Sequence, residues 1–150
     1  MTREPGGEPE DAEREEERIQ REVCRLAHRF TQRLDTHVRR VAEEFGLTAS
    51  QVVALRELSE PITARTLAGR MLCEPSNATF VLDRLEGQGL IERRPHPTDR
   101  RAKQIALTPE GLRCRERVLA RMSERSPLAP LASAQREQLC ELLGALVEDS

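Results

Sequence analysis

Apolar residues recur at three- and four-residue spacing along most of this chain, which predicts helices, and one short region changes to the alternation of a hairpin. From Val23 the stripe runs through Leu26, Ala27, Phe30, Leu34, Val38, Val41 and Phe45, enough for a helix of about seven turns. That is far longer than a small lobe needs for its own core. Thr48 and Gln51 offer a capping box to the next helix, which carries Val52, Val53, Leu55 and Leu58. Pro61-Ile62-Thr63 then makes a turn into a helix that should bury Leu67, Ala68 and Met71. The following helix starts at Pro75, a residue suited to the first helical position because its missing N–H would be unpaired there anyway. Ala78, Val81, Leu82 and Leu85 form its inward face, and Gly87 and Gly89 end it. Leu90 to Arg94 and Gln104 to Leu107 read as the two arms of a hairpin. Thr108-Pro109-Glu110 opens another helix with a capping residue, Pro at the first position and an acid near the positive end of the dipole. That helix continues through Leu112, Val118, Leu119 and Met122. Beyond a loop with Pro127 and Pro130, Ser133 is expected to cap a last helix with Leu139, Leu142, Leu143 and Leu146 on its apolar face.

Two short helices followed by a charged hairpin are the order of a helix-turn-helix with a β-wing, an arrangement that points to reading DNA. The outward face of the second helix carries Ser76, Asn77, Thr79, Asp83 and Arg84. Asn pairs with adenine edges, and Ser or Thr with several bases or with phosphate. In the hairpin Arg93, Arg94, Arg100, Arg101 and Lys103 stand against Asp99. A loop bearing guanidinium groups can enter a minor groove, where negative potential attracts Arg, and Asp99 can fix the direction of one of them by a bidentate pair. Taken singly, each feature has a plainer reading: Ser76 and Asn77 as helix-start residues, the hairpin as an ordinary solvated surface. Helix and wing in the right order outweigh both. The expected DNA-contacting residues are Ser76, Asn77, Thr79, Arg84, Arg94, Asp99, Arg100 and Arg101.

The run from Leu47-Thr48 to Gly111 resembles the winged-helix core of the MarR family of bacterial transcriptional regulators. The residues that carry the likeness are Pro75-Ser76-Asn77-Ala78-Thr79, Asp83-Arg84-Leu85-Glu86, Gly89-Leu90-Ile91-Glu92-Arg93-Arg94 and the wing from Asp99 through Arg101 to Leu107-Thr108-Pro109-Glu110-Gly111. The family's wing signature is an Asp, one residue, an Arg, then five residues to Leu-Thr, and each position is matched. The resemblance implies that Arg101 reaches into the minor groove while Asp99 orients it. It also implies that Ser76, Asn77, Thr79 and Arg84 contact the major groove or its flanking phosphates. Phe80 departs from the family, many members of which carry an Arg after the Thr.

The implied fold class is mainly α with a small β-wing: a winged helix-turn-helix whose N- and C-terminal helices form a dimerisation region. The expected divisions are a disordered acidic tail at 1–11, an N-terminal dimerisation helix at 12–46, a DNA-binding lobe at 47–108 and C-terminal dimerisation helices at 109–150. With no Trp or Tyr and three Phe, a monomer has little bulk with which to cover its terminal stripes. Packing across a two-fold axis solves that problem, and the resemblance implies the same homodimer. It further implies a repressor on a pseudo-palindromic double-stranded operator. Its small-molecule effector, an aromatic, phenolic or otherwise lipophilic acid, would occupy the crevice between the helical interface and the DNA-binding lobes.

Charge sharpens this picture. The chain is 33 % charged but its net charge is −2, so attraction to DNA must be local. Residues 1–18 hold eight acidic side chains against three basic ones, whereas residues 62–107 hold eight basic against five acidic. Cys24, Cys73, Cys114 and Cys140 show no Cys-x-x-Cys pair, so neither a zinc site nor a disulfide framework is signalled. Together with no signal peptide and no apolar run of membrane length, this points to a cytoplasmic protein without a membrane partner. Cys24 is the redox candidate, because some members of the family sense peroxides through a Cys in this region with the help of Tyr residues. A buried, inert Cys on the apolar stripe is the preferred reading. Cys24 and His28 share a helical face, but no third metal ligand follows, even with His37 nearby. No nucleophile motif, phosphate loop or His-Glu-x-x-His pattern accompanies His28, His37 or His96, so neither an enzyme nor a cofactor is expected. A winged-helix protein-interaction module without DNA binding is the different-class alternative.

Overall fold

The computed structural model describes residues 8–148. Among them run six helices and three strands: α1 (Glu8–Glu44), α2 (Ala49–Glu57), β1 (Ile62–Thr63), α3 (Ala64–Met71), α4 (Pro75–Gly87), β2 (Ile91–Pro95), β3 (Lys103–Leu107), α5 (Pro109–Ser123) and α6 (Ser133–Val147). The mainly helical fold class with a small wing is as expected from the sequence. A boundary between two compact units falls after Asp35, within α1.

In the first unit α1 is a solvent-exposed, charged helix. Glu8 to Asp11 are helical, which corrects the expectation of disorder to residue 11; the rest of that acidic tail lies outside the described residues. Pairs at three- and four-residue spacing hold this part. Arg14 lies 3.6 Å from both Glu10 and Asp11, and 2.6 Å separates Arg18 from Glu15 and Arg25 from Glu22. Hydrogen bonds from those arginines hold the Glu15 and Glu22 carboxyls below the ordinary carboxylate range. Ile19, Val23 and Leu26 are exposed, and so is Cys24. Within a single copy, the described residues leave Cys24 and this stretch of the stripe uncovered.

The second unit has two connected cores. One, from Leu55, Leu67, Leu82, Leu85, Ile91 and Ile105 with their neighbours, packs α2, α3 and α4 on the sheet. The other joins Val41 and Ala42 of α1 to Val52 of α2 and Val118 of α5. Thr48 and Gln51 form the expected capping box, Thr48 N–H donating to Gln51 Oε1 at 2.9 Å and Gln51 N–H to Thr48 Oγ1 at 3.2 Å. The Gln51 side chain is also buried and donates from Nε2 to Gln88 Oε1 at 2.7 Å, linking α2 to the end of α4. At α6 the cap is Ala132 and not Ser133, because Gln135 Oε1 accepts from the Ala132 N–H at 2.8 Å and starts the helix one residue early.

The sheet is antiparallel in the order β1-β3-β2. Ile105 at its centre faces Ile62 on one side and Arg93 on the other. The turn expected at Pro61-Ile62-Thr63 therefore contains a strand, one too short to show periodicity.

A close junction ties the end of α4 to the start of α5. Gly89 adopts φ +74°, a conformation that Gly reaches without strain, and turns the chain so that Leu90 N–H meets Leu85 O at 3.0 Å. Thr108 N–H donates to Leu90 O at 3.1 Å, and its hydroxyl donates to Gly89 O at 2.6 Å while accepting from Gly111 N–H at 3.0 Å. A Cβ at Gly111 would lie 1.8 Å from Leu90 O, so α5 can dock here only with glycine. Gly111→Ala is accordingly expected to lower unfolding free energy by about 2 kcal/mol or more in a urea titration, since backbone must move to make room.

Candidate nucleic-acid interface

Helix α4 separates its two faces cleanly. Ala78, Val81, Leu82 and Leu85 are buried, whereas Ser76, Asn77, Thr79, Phe80, Asp83 and Arg84 are exposed. The N-cap is Glu74, with Ser76 and Asn77 already inside the first turn, so capping does not account for either residue. Thr79 Oγ1 donates to Pro75 O at 3.0 Å, which fixes the hydroxyl and leaves its lone pairs outward. The Arg84 guanidinium sits 5.8 Å from the centre of the Phe80 ring.

The wing is joined to this helix by Arg93. Its two terminal nitrogens lie 2.7 Å from Asp83 Oδ1 and 2.7 Å from Glu86 Oε1, one guanidinium bridging two carboxylates on consecutive turns of α4. The hydrogen bond to Asp83, followed by the Glu86 charge, holds Arg93 above its already high ordinary pKa, so it stays charged at any working pH. Asp83, which would otherwise place an uncompensated negative charge on the outward face, is neutralised by the same pair. The sequence pattern places Arg94, and not Arg93, among the expected DNA contacts. Arg94 is exposed and pairs with Glu92 on its own strand. The signal that distinguishes them is strand alternation: Ile91 is buried, and two residues on Arg93 lies on the same face, toward α4.

At the wing tip His96 organises the turn. Its Nδ1 accepts from Thr98 N–H at 3.2 Å and Asp99 N–H at 3.1 Å, which requires the tautomer protonated on Nε2. Asp99 Oδ1 accepts from the Arg101 backbone N–H at 2.9 Å. This corrects the expectation of an Asp99–guanidinium pair. A short Asp side chain in a turn reaches the N–H two residues on, and here Asp99 shapes the backbone that carries Arg101. No carboxylate among the described residues pairs with Arg100, Arg101 or Lys103, all of which are exposed. Such cations can exchange their counterions for phosphates without giving up a protein partner.

Beside the sheet, a cleft of about 400 Å³ is lined by Leu58, Pro61, Leu107, Pro109 and Leu112, with Glu60 and Arg94 among its polar groups. Among the described residues no group of His, Cys, Asp and Glu is arranged to hold a metal ion, including around Cys24 and His28, and no helix is long and apolar enough to cross a membrane.

The MarR family model matches residues 47–103, the stretch from the cap of α2 through the wing. The regulator PecS of Dickeya dadantii is 34 % identical over 107 residues, covering 69 % of this chain and 62 % of that one. The chain spans between about half and two thirds of the length of the first curated relatives it matches. A single-residue variant of E. coli MarR, solved in complex with operator DNA, superposes with a TM-score of 0.69 at 25 % identity, covering 83 % of this chain and 93 % of that one. CouR of Rhodococcus jostii RHA1, solved with p-coumaroyl-CoA bound, gives a TM-score of 0.73 at 26 % identity, covering 83 % and 90 % of the two chains. Motif, wing geometry and likeness agree: residues 47–103 match the MarR family, and the fold is the one shared by its winged helix-turn-helix transcriptional regulators.

Proposed function

We propose that this protein is a homodimeric repressor that reads a pseudo-palindromic operator in double-stranded DNA and releases it when a small molecule binds. The observation that carries the reading is the Arg93 bridge. It holds the outward face of α4, with Ser76, Asn77, Thr79 and Arg84, in fixed relation to a wing tip whose Arg100, Arg101 and Lys103 are unpaired. Helix α4 enters the major groove, where the polar side chains meet base edges, and Arg101 reaches into the adjoining minor groove. The operator-bound structure of the E. coli MarR variant supports this mode of use.

Uncovered apolar surface supports the dimer. Helix α6 buries none of its residues and exposes Leu142, Leu143, Leu146 and Val147, while α1 exposes Ile19, Val23 and Leu26. Covering such a side chain is worth about 1.5–3 kcal/mol, and a second copy of the chain supplies matching surface. Two lobes related by a two-fold axis read half-sites with centres about 34–36 Å apart, one turn of duplex. CouR was solved with an aromatic acyl-CoA, which supports an aromatic effector here, and a coupling of about 1–3 kcal/mol is enough to shift DNA binding 5- to 150-fold. The protein acts in the cytoplasm, where its operator lies.

The primary test selects bound duplexes from a random library with purified protein, then titrates the best by fluorescence anisotropy at two salt concentrations. Arg101→Ala is expected to weaken specific binding by about 1–3 kcal/mol and to reduce the salt slope by about one phosphate. An unchanged affinity would remove the wing from the mechanism. Arg93→Ala is expected to lose at least about 1 kcal/mol of specific binding with the native salt slope, because Arg93 orients the wing and neutralises no phosphate. A native affinity for this variant would mean that the bridge is ornamental to DNA reading. Sedimentation should give twice the 17.0 kDa chain mass. Leu142→Glu with Leu146→Glu should yield monomers that bind the operator about 100-fold more weakly, since the second lobe no longer adds avidity. Absence of any enriched sequence from folded dimer would favour the protein-interaction module.

A further inference from the structure

The outward face of α4 contains one residue that hydrogen bonding to DNA does not use. Of the three phenylalanines, Phe30 and Phe45 are half-buried, whereas Phe80 is 63 % exposed. It is not a displaced core residue. Phe80 lies one helical turn after Ser76 and one before Asp83 and Arg84, opposite the buried row of Ala78, Leu82 and Leu85. Arg84 covers part of the ring from the next turn and restrains it, leaving the remainder directed to solvent among polar side chains. The apolar group that a major groove offers to such a ring is the C5-methyl of thymine.

Resting on the DNA-reading function proposed above, we propose that Phe80 is a specificity-determining residue that packs on the C5-methyl group of one thymine in each operator half-site. The polar side chains of α4 read donors and acceptors; Phe80 reads a methyl group. Cytosine at the same position leaves the ring facing bare groove edge, whereas 5-methylcytosine restores the methyl group. Because Arg84 already restrains the ring, little freedom is lost when the contact forms.

The experiment uses full-length protein and the best duplex from the random-library selection. Each thymine is replaced in turn by deoxyuridine, which keeps every hydrogen-bonding group and removes the methyl alone. For the native protein, one thymine per half-site, at symmetry-related positions, is expected to lose affinity about 4-fold on replacement, the value of one methyl group left unburied. Replacing both should cost about 15-fold, the two sites being independent. Phe80→Ala, which circular dichroism should show folded because the position is exposed, is expected to bind thymine and deoxyuridine duplexes equally at those positions. A native protein indifferent to every replacement, or a Phe80→Ala variant that keeps the native ratio, overturns the proposal while leaving DNA reading intact. A selection that enriches no sequence overturns the DNA-reading function and the proposal with it.

Discussion

The contact of Gly111 with the backbone of Leu90 is the constraint from which the functional surface hangs. Four elements meet within a few residues: the end of α4, the start of β2, the end of β3 and the start of α5. The Thr108 hydroxyl satisfies Gly89 O and Gly111 N–H together, and Leu90 O takes the Thr108 N–H. No side chain cushions this meeting, because a Cβ on Gly111 would overlap Leu90 O. Close packing leaves such contacts nowhere to relax, so the base of the wing cannot shift without moving α5.

Charge pairing then decides which parts of that surface remain open to a partner. Arg93 is committed to Asp83 and Glu86, Arg94 to Glu92 and Arg70 to Glu60. Arg115 is committed too, donating to the carbonyls of Leu55 at 2.8 Å and Arg56 at 3.1 Å and so closing the C-terminal end of α2. A guanidinium held in this way must give up or share a protein partner when it meets a phosphate. Among the cations of the wing, those left without a carboxylate partner are Arg100, Arg101 and Lys103 at its tip, in a chain whose net charge is −2. A count of basic residues in the sequence hides this, since it weighs Arg93 and Arg101 alike.

Helix starts and the hairpin were legible because their signals are local. Pro75, the Thr48–Gln51 box and Thr108-Pro109 act within one turn, and each element begins where those residues place it. Features decided across the fold were not legible. The strand Ile62–Thr63 exists because β3 has an open edge, and two residues carry no period. Charge and resemblance both tie Asp99 to Arg101, but which Arg101 group it bonds, the backbone N–H and not the guanidinium, is set by the turn. The α6 start moved by one residue because Gln135 reaches back to Ala132, a reciprocal bond for which Ser133 gave a competing local signal. Helical Glu8 to Asp11 show that the spacing of charges outweighs their sign, with arginines placed to pair with acids one turn away.

Helix α5 joins the two regions that the proposed regulator must couple. At its start it abuts Leu90 and the wing; near its end Arg121 pairs with Glu44 at 2.5 Å and Met122 O accepts from His37 Nε2 at 2.8 Å, both partners belonging to α1. Between these ends Val118 is buried with Val41 and Val52. Lying between two sites would not by itself couple them. What matters is that both ends of α5 are fixed by short, saturated contacts, one of them backbone on backbone. A change in the tilt of α5 must therefore displace the wing base, the last turn of α1, or both. In a two-fold dimer held through its terminal helices, that displacement alters the spacing of the two wings, which is the quantity that one-turn half-sites test. The cleft bordered by Pro109 and Leu112 opens at the start of this same helix, beside the wing base that α5 holds.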